Sequence, residues 1–243
     1  MYPKREDGKT GWQGCNLTEI NGSMCNTEQE FYDACKASAI LGTLQAGYTN
    51  FKYVTDITKD IFEREALLGC SITGFMNNPK ILFNPEIQKK GANIIKATNK
   101  IISSLLNINQ AARTTCVKPS GNASVLLGTG SGIHGEHSKK YFRNVQVNKE
   151  EDLGKYIKSV NSKMVENSLW SNNNSDWVIS FPIDAKEGSI FKKDLYGVKQ
   201  LEFVKLTQQN WVEEGTNIEL CVNKNIRHNV SNTIVVDDWE EVE

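Results

Sequence analysis

The sequence predicts an α/β protein arranged as a sheet or barrel, and three observations carry that expectation. Short β-branched or apolar runs, several closed by glycine or proline, alternate with long stretches of helical periodicity. The best of those stretches bring their own start and stop residues. With 243 residues, of which 39% are hydrophobic, the chain can bury one sizeable core or two small ones. No repeat, low-complexity segment or clear linker divides it.

The elements follow in order. Residues 27–48 open with the capping-box pattern Thr27-Glu28-Gln29-Glu30 and place Phe31, Ala34, Cys35, Ala39, Leu41 and Leu44 at helical spacing, so a helix ending near Gly47 is expected. Asp56 to Glu65 is polar and compatible with a helix. Ala66 to Phe75 is a short apolar run closed by glycine, the pattern of a buried strand. Pro79 and Pro85 punctuate the next loop. Asn84 to Leu106 is periodic, free of internal proline past Pro85 and followed by Asn107, which makes it the strongest helix. Thr114 to Lys118 is β-branched and delivers the tight turn Pro119-Ser120-Gly121. Ser124 to Leu127 and Tyr141 to Val147 read as strands flanking a glycine-rich segment, 128–135. Asp152 to Leu169 reads as a helix, Ser171 to Asp176 as a polar loop, and Trp177 to Pro182 as a strand. Val198 to Glu214 reads as a helix ended by Gly215, and Ser231 to Val236 as a last strand.

Composition excludes several functions. Lys and Arg number 28 against 29 Asp and Glu, a net charge of −1. With no long basic block to neutralise a phosphate backbone, direct DNA binding is not expected. Apolar runs such as Ile101 to Leu106 stop far short of the roughly 20 residues of a membrane span, so no membrane association is expected. Met1 to Lys9 has no apolar core of a secretory signal, and a cytoplasmic location is expected. The six cysteines form no C-x-x-C pair, which argues against structural zinc and against a disulfide framework. The N-x-S/T triplets at Asn16, Asn21, Asn122, Asn173 and Asn229 read as products of an asparagine-rich composition.

Five features bear on chemistry. Gly130-x-Gly132-x-x-Gly135 formally matches a dinucleotide fingerprint, but His-Ser-Lys-Lys-Tyr-Phe-Arg follows it instead of an apolar helix, so it reads as a tight loop near some other ligand. His134 and His137 lack the further ligands a zinc site needs, with only His228 remaining, and no metal site is expected. Ser131 lies between glycines without the five-residue pattern of a hydrolase elbow. Pro119-Ser120-Gly121-Asn122-Ala123-Ser124 exposes consecutive backbone N–H groups beside two hydroxyls, which suits either an ordinary turn or a phosphate cradle. Cys15, alone in a near-uncharged context, reads by itself as an inert thiol.

Together these pieces resemble one family. Gly11-Trp12-Gln13-Gly14-Cys15-Asn16-Leu17-Thr18-Glu19-Ile20-Asn21 and Ala111 to Gly121 are similar to two signatures of the adenosylcobalamin-dependent (class II) ribonucleotide reductases. So are Gly128 to Ser138 with Tyr141-Phe142-Arg143 beyond, Ala37 to Tyr48, Leu67 to Gly74, and His228 to Thr233. The resemblance implies part of a ten-stranded α/β barrel with its N-terminal half missing, a single partial domain over 1–243. It implies thiyl-radical reduction of a ribonucleotide, with Cys15 as one half of the reducing pair. Asn16, Pro119, Ser120, Gly121, Asn122, Ala123 and Ser124 fall to the substrate, the turn holding its phosphates, and Gly132 and His134 to the cofactor, adenosylcobalamin. The family's N-P-C-x-E motif, which bears the radical cysteine and a glutamate, is absent, and Glu19 lies too far along to replace that glutamate. Gly14 stands where the family usually carries a bulky residue. The expected partners are therefore an N-terminal half carrying N-P-C-x-E, without which the chain is inactive, and a thioredoxin-type reductant. A fragment of a class I large subunit, or a non-catalytic nucleotide-binding remnant, are the alternatives; di- and triphosphate substrates are not distinguished.

Overall fold

The computed structural model describes Gly8 and residues 10–236. Two compact units make up the chain, one from Met1–Glu136 with Glu187–Glu243 and the other from His137–Lys186.

The larger unit is an α/β arrangement around parallel strands. Strand β1 (Asn16–Asn21) pairs in parallel with β2 (Leu68–Thr73), Asn16 opposite Leu68 and Asn21 opposite Thr73. The connection between them holds helices α1 (Glu28–Ala46) and α2 (Asp56–Glu65), as a parallel crossover requires. Thr27 caps α1 in the expected box: its hydroxyl accepts from the Glu30 amide at 3.2 Å, and the Glu30 carboxylate accepts from the Thr27 amide at 3.2 Å. After β2 come a short helix α3 (Pro79–Leu82) and the long α4 (Pro85–Leu106), capped by Asn84 and stopped by Asn107 in the left-handed region. Pro79 thus begins a helical turn inside the expected loop. Even-numbered strand residues Ile20, Leu68, Cys70 and Ile72 pack with Phe31, Cys35 and Ala39 of α1 and Ile95 of α4 in one core. Each buried Ile, Leu or Phe there contributes about 1.5–3 kcal/mol.

The ladder continues past β2. Leu68 and Cys70 donate to the carbonyls of Arg113 and Thr114, Cys116 donates back to Cys70, and Val117 and Ser231 exchange bonds across to residues 229–231. Bridges Cys70↔Thr115 and Val117↔Val230 are both parallel. The expected strand at 114–118 is therefore a third parallel pass, and residues 229–231 make a short fourth. The last helix, α7 (Gly197–Thr207), continues as a π turn through Gln208–Val212 and ends before Gly215. Its end is pinned to the third pass, since Trp211 Nε1 donates to the Cys116 carbonyl at 3.0 Å and Thr115 Oγ1 donates to the Trp211 carbonyl at 2.6 Å.

Three sequence expectations are corrected. Ser124 to Leu127 is not a strand but the end of helix α5 (Gly121–Leu126), because Ser120 adopts φ 54°, ψ 39° and launches a helix whose Ser124 amide returns to the Ser120 carbonyl. Ser231 to Val236 leaves the ladder after Ser231. Asn232 turns its side-chain amide back to the Val230 carbonyl and the Thr233 amide donates to His134, so the backbone bonds locally instead of along a strand. The helix expected over 152–169 stops at Val160.

That last segment belongs to the smaller unit, a three-stranded antiparallel sheet in the order β3-β5-β4. Strand β3 (Lys140–Asn148) pairs along its whole length with β5 (Asp176–Asp184), and β4 (Val165–Asn167) pairs with Trp177–Ile179 of β5. Helix α6 (Asp152–Val160) lies on it through Gly154, where a methyl group would come within 2.9 Å of Val147 Cγ2. Pairing with β5 draws 165–167 out of the helix that its periodicity favoured.

Candidate functional site

The odd-numbered residues of β1 and β2 face away from α1 and α4, because side chains alternate across a strand. On that face stand Cys15 (just before β1), Leu17 and Glu19, with Gly69, Ser71 and Thr73 of β2 opposite. A methyl group at Gly69 would meet Leu17 and come within 3.1 Å of Cys116 Sγ and 3.6 Å of Cys15 Cβ. Glycine here leaves room between two thiols. All six cysteines are free.

Cys15 is half-buried, and its Sγ lies 3.1 Å from His228 Nε2. His228 Nδ1 is 3.0 Å from the Thr115 carbonyl, an acceptor only, so Nδ1 carries the proton and Nε2 is left to accept from the thiol. Burial drives the His228 pKa down to about 4, helped by the positive charges of Arg113 and Lys118. Burial likewise raises the Cys15 thiol, opposed by Lys118 and Arg113. The resting pair is neutral: thiol and imidazole. Cys116 is driven higher still by its deeper burial.

Four residues along the strand, about 13 Å at roughly 3.3 Å per residue, Glu19 accepts from Ser71 Oγ at 3.1 Å, with the Ser120 hydroxyl beside it. Burial lifts its carboxyl to about 7 against these two hydroxyls, which favour the charged form. Ser71 Oγ also accepts the Lys118 amide at 3.0 Å, tying β2 to the turn.

The 119–124 turn takes the shape its small residues suggested. Ser120 occupies the left-handed region, and Gly121 and Asn122 are exposed. The amides of Gly121, Asn122 and Ala123, first in α5, have no acceptor within the helix. Pro119 accepts from Ser131 Oγ, and Ser120 Oγ donates to the Lys118 carbonyl at 3.3 Å. Ser124 is buried and its hydroxyl donates to the Gly121 carbonyl at 3.1 Å, so it holds the turn together from behind. Asn16 donates its side-chain amide to the Leu67 carbonyl, on the edge between β1 and β2. The structure therefore brings Cys15, Glu19 and Ser120 to one face.

Gly132 and His134 stand elsewhere in the loop. Gly132 has φ 51°, and a methyl group there would strike the Lys118 carbonyl. Both His134 nitrogens are engaged, Nδ1 with the Ser131 carbonyl at 2.9 Å and Nε2 with the Thr233 amide at 2.9 Å. As placed, these residues close the loop and offer no open donor or acceptor that fits a corrinoid. Among the described residues no three His, Cys, Asp or Glu side chains converge as a metal site, and no helix is long and apolar enough to cross a membrane. Gly14, the departure from the family pattern, backs onto Phe62 of α2, whose ring occupies the space a side chain would take.

Sequence reasoning did not place Glu19 and His228 on this face. The signal for Glu19 was the alternation Cys15, Leu17, Glu19, readable once 16–21 is seen as a strand; His228 opens one of the segments that resemble the family, but its contact with Cys15 comes from a distant pass and left no local signal.

No family model matches the chain. It is 26% identical over 161 residues to a probable adenosylcobalamin-dependent ribonucleoside-triphosphate reductase of Dictyostelium discoideum, covering 64% of this chain and 21% of that one. It is 25% identical over 163 residues to the adenosylcobalamin-dependent ribonucleoside-triphosphate reductase of Euglena gracilis, covering 64% and 22%. Among solved structures, a B12-dependent (class II) ribonucleotide reductase superposes with a TM-score of 0.64 at 17% identity, over 82% of this chain and 32% of that one. The resemblance read from the motifs thus has curated relatives of the same kind behind it, and the chain spans about a fifth of their length.

Proposed function

We propose that this chain forms the C-terminal part of the α/β catalytic barrel of a class II ribonucleotide reductase, working on ribonucleoside triphosphates as its curated relatives are named to do. The observation that carries the reading is the shared face of the parallel strands, where a thiol, Cys15, and the 119–124 turn stand at opposite ends of β1 with Glu19 between. A nucleotide laid along that face would put its phosphates on the free amides of Gly121, Asn122 and Ala123 and its ribose toward Cys15. Holding the phosphates remotely orients the ribose for the reacting thiol. Cys15 and a second thiol from a preceding segment would give up two electrons and two protons in forming a disulfide, while the 2′-carbon exchanges its hydroxyl for hydrogen and water leaves. A segment bearing N-P-C-x-E and a thioredoxin-type reductant are the partners this requires.

The test is reconstitution. Co-expressed with an N-terminal reductase segment carrying N-P-C-x-E, and given adenosylcobalamin and a dithiol, the chain should form deoxynucleotide, and alone it should form none. In the complex, Cys15→Ser should abolish multiple turnover while nucleotide still binds. Ser124→Ala should weaken nucleotide binding by about 0.5–1.5 kcal/mol through loosening of the turn. Turnover by the chain alone, or by Cys15→Ser in the complex, overturns the reading; nucleotide binding with no turnover in the complex favours a non-catalytic remnant.

A further inference from the structure

The contact between Cys15 and His228 joins two residues 213 positions apart and is made by a histidine with one tautomer available. We infer that His228 is the proton acceptor for Cys15, taking the thiol proton on Nε2 as the sulfur is oxidised and returning it when the sulfur is reduced. The inference rests on the reading of Cys15 as a redox thiol, and deepens it. His228 touches the sulfur and not the substrate, so it is a positioning and proton-holding residue.

The chemistry balances with an organic disulfide as oxidant. The Cys15 S–H proton moves to Nε2, the sulfur lone pair forms a new S–S bond, the oxidant's S–S bond breaks, and its second sulfur leaves as a thiolate with the electron pair. Cys15 and the attacked sulfur end as a mixed disulfide. On reduction by a dithiol, Cys15 departs as the thiolate and recovers its proton from the imidazolium.

Three features make the geometry specific. Thr115 fixes which nitrogen is free. Arg113, bonded to the Ile226 carbonyl at 2.9 Å and the Asn223 carbonyl at 3.1 Å, holds the loop that leads into His228. Gln208 Nε2 donates to the His228 carbonyl at 3.1 Å, anchoring its backbone from the π turn. The charged groups facing the pair are Lys118, Arg113 and Glu65, and the neighbouring thiol is Cys116.

The probe is iodoacetamide on the full chain, with alkylation of the Cys15 peptide followed by mass spectrometry from pH 5 to 8. A thiol that must first ionise to water loses tenfold in rate per pH unit below its pKa. A thiol whose proton passes to a neutral imidazole of pKa about 4 reacts at a rate that stays flat until that imidazole charges. The wild-type rate should therefore be level between pH 5 and 7. His228→Gln keeps a hydrogen-bond acceptor without a base; its rate should fall tenfold per unit and lie roughly a hundredfold behind at pH 5. A wild-type profile that falls tenfold per unit overturns the inference, whether or not the variant folds, and so does a folded variant that keeps the level limb. Because the assay uses neither nucleotide nor a second segment, it separates from the reductase reading: turnover by Cys15→Ser would sink that reading while leaving the level limb intact.

Discussion

At the scale of single residues, the site depends on a buried ion pair whose charges also act on Cys15 and His228. Glu65 and Arg113 are almost wholly buried, 3.4 Å apart. Glu65 also accepts the Val222 amide at 3.2 Å and the Gln13 side-chain amide at 3.1 Å, while Arg113 holds two carbonyls of the loop before His228. Removing Arg113 leaves the buried Glu65 carboxylate only the half-exposed Arg64 at 3.9 Å, so Arg113→Met should lower the unfolding free energy by about 3–5 kcal/mol. Adding Glu65→Leu to it should recover part of the loss, since the stranded carboxylate goes too. Urea denaturation of both variants decides the matter; a single variant within 1 kcal/mol of the parent, on the order of an exposed pair, would mean the pair is solvated. Cys15 and the 119–124 turn could be singled out in the sequence because their residue types and local order suit chemistry. The partners of Cys15 and Glu19 were not, because His228 and Ser71 reach them only through the pairing of strands far apart in the chain.

Among the elements, the helices with caps were the most readable. Thr27 with Glu30, and Asn84 with the amides of Glu86 and Ile87, satisfy donors that a helix start leaves open, and that need is written in a few adjacent residues. Thr27→Ala should therefore cost about 1 kcal/mol, measured as a shift in the urea midpoint at constant slope. No change at all would show that water serves the Glu30 amide as well as the Thr27 hydroxyl does. Strands were read less well. Ser124 to Leu127 looked extended because a four-residue apolar run fits either period, and only the left-handed Ser120 decided for a helix. Residues 165–167 looked helical until β5 offered them hydrogen bonds, and 231–236 looked extended although the Thr233 amide goes to a loop histidine.

Across the site as a whole, the chain arranges for ionisable groups to rest uncharged. Between about pH 4 and 7 Glu19 holds its proton, His228 lacks one, and Cys15 keeps its own, which leaves these three groups of the shared face without negative charge. This has a thermodynamic signature. The Glu19 carboxyl is raised from 4.5 to about 7, so the folded state holds a proton the unfolded chain releases. Its stabilisation is full below pH 4.5 and is lost as pH rises through 7. His228 is lowered from 6.5 to about 4, so its stabilisation is full above pH 6.5 and is lost as pH falls through 4. Each interval is worth on the order of 3 kcal/mol at about 1.36 kcal/mol per pH unit. Between pH 4.5 and 6.5 the two slopes have opposite sign and nearly cancel. Replacing either group should expose the other: Glu19→Gln should leave a chain that, relative to the parent, loses stability as pH falls from 6.5 to 4.5, and His228→Gln one that loses it as pH rises over the same range. Urea midpoints at half-unit intervals would show two curves diverging from the parent in opposite directions. Variants whose curves run parallel to the parent would mean that the two groups titrate as they do in the unfolded chain, and that the face is charged at neutral pH.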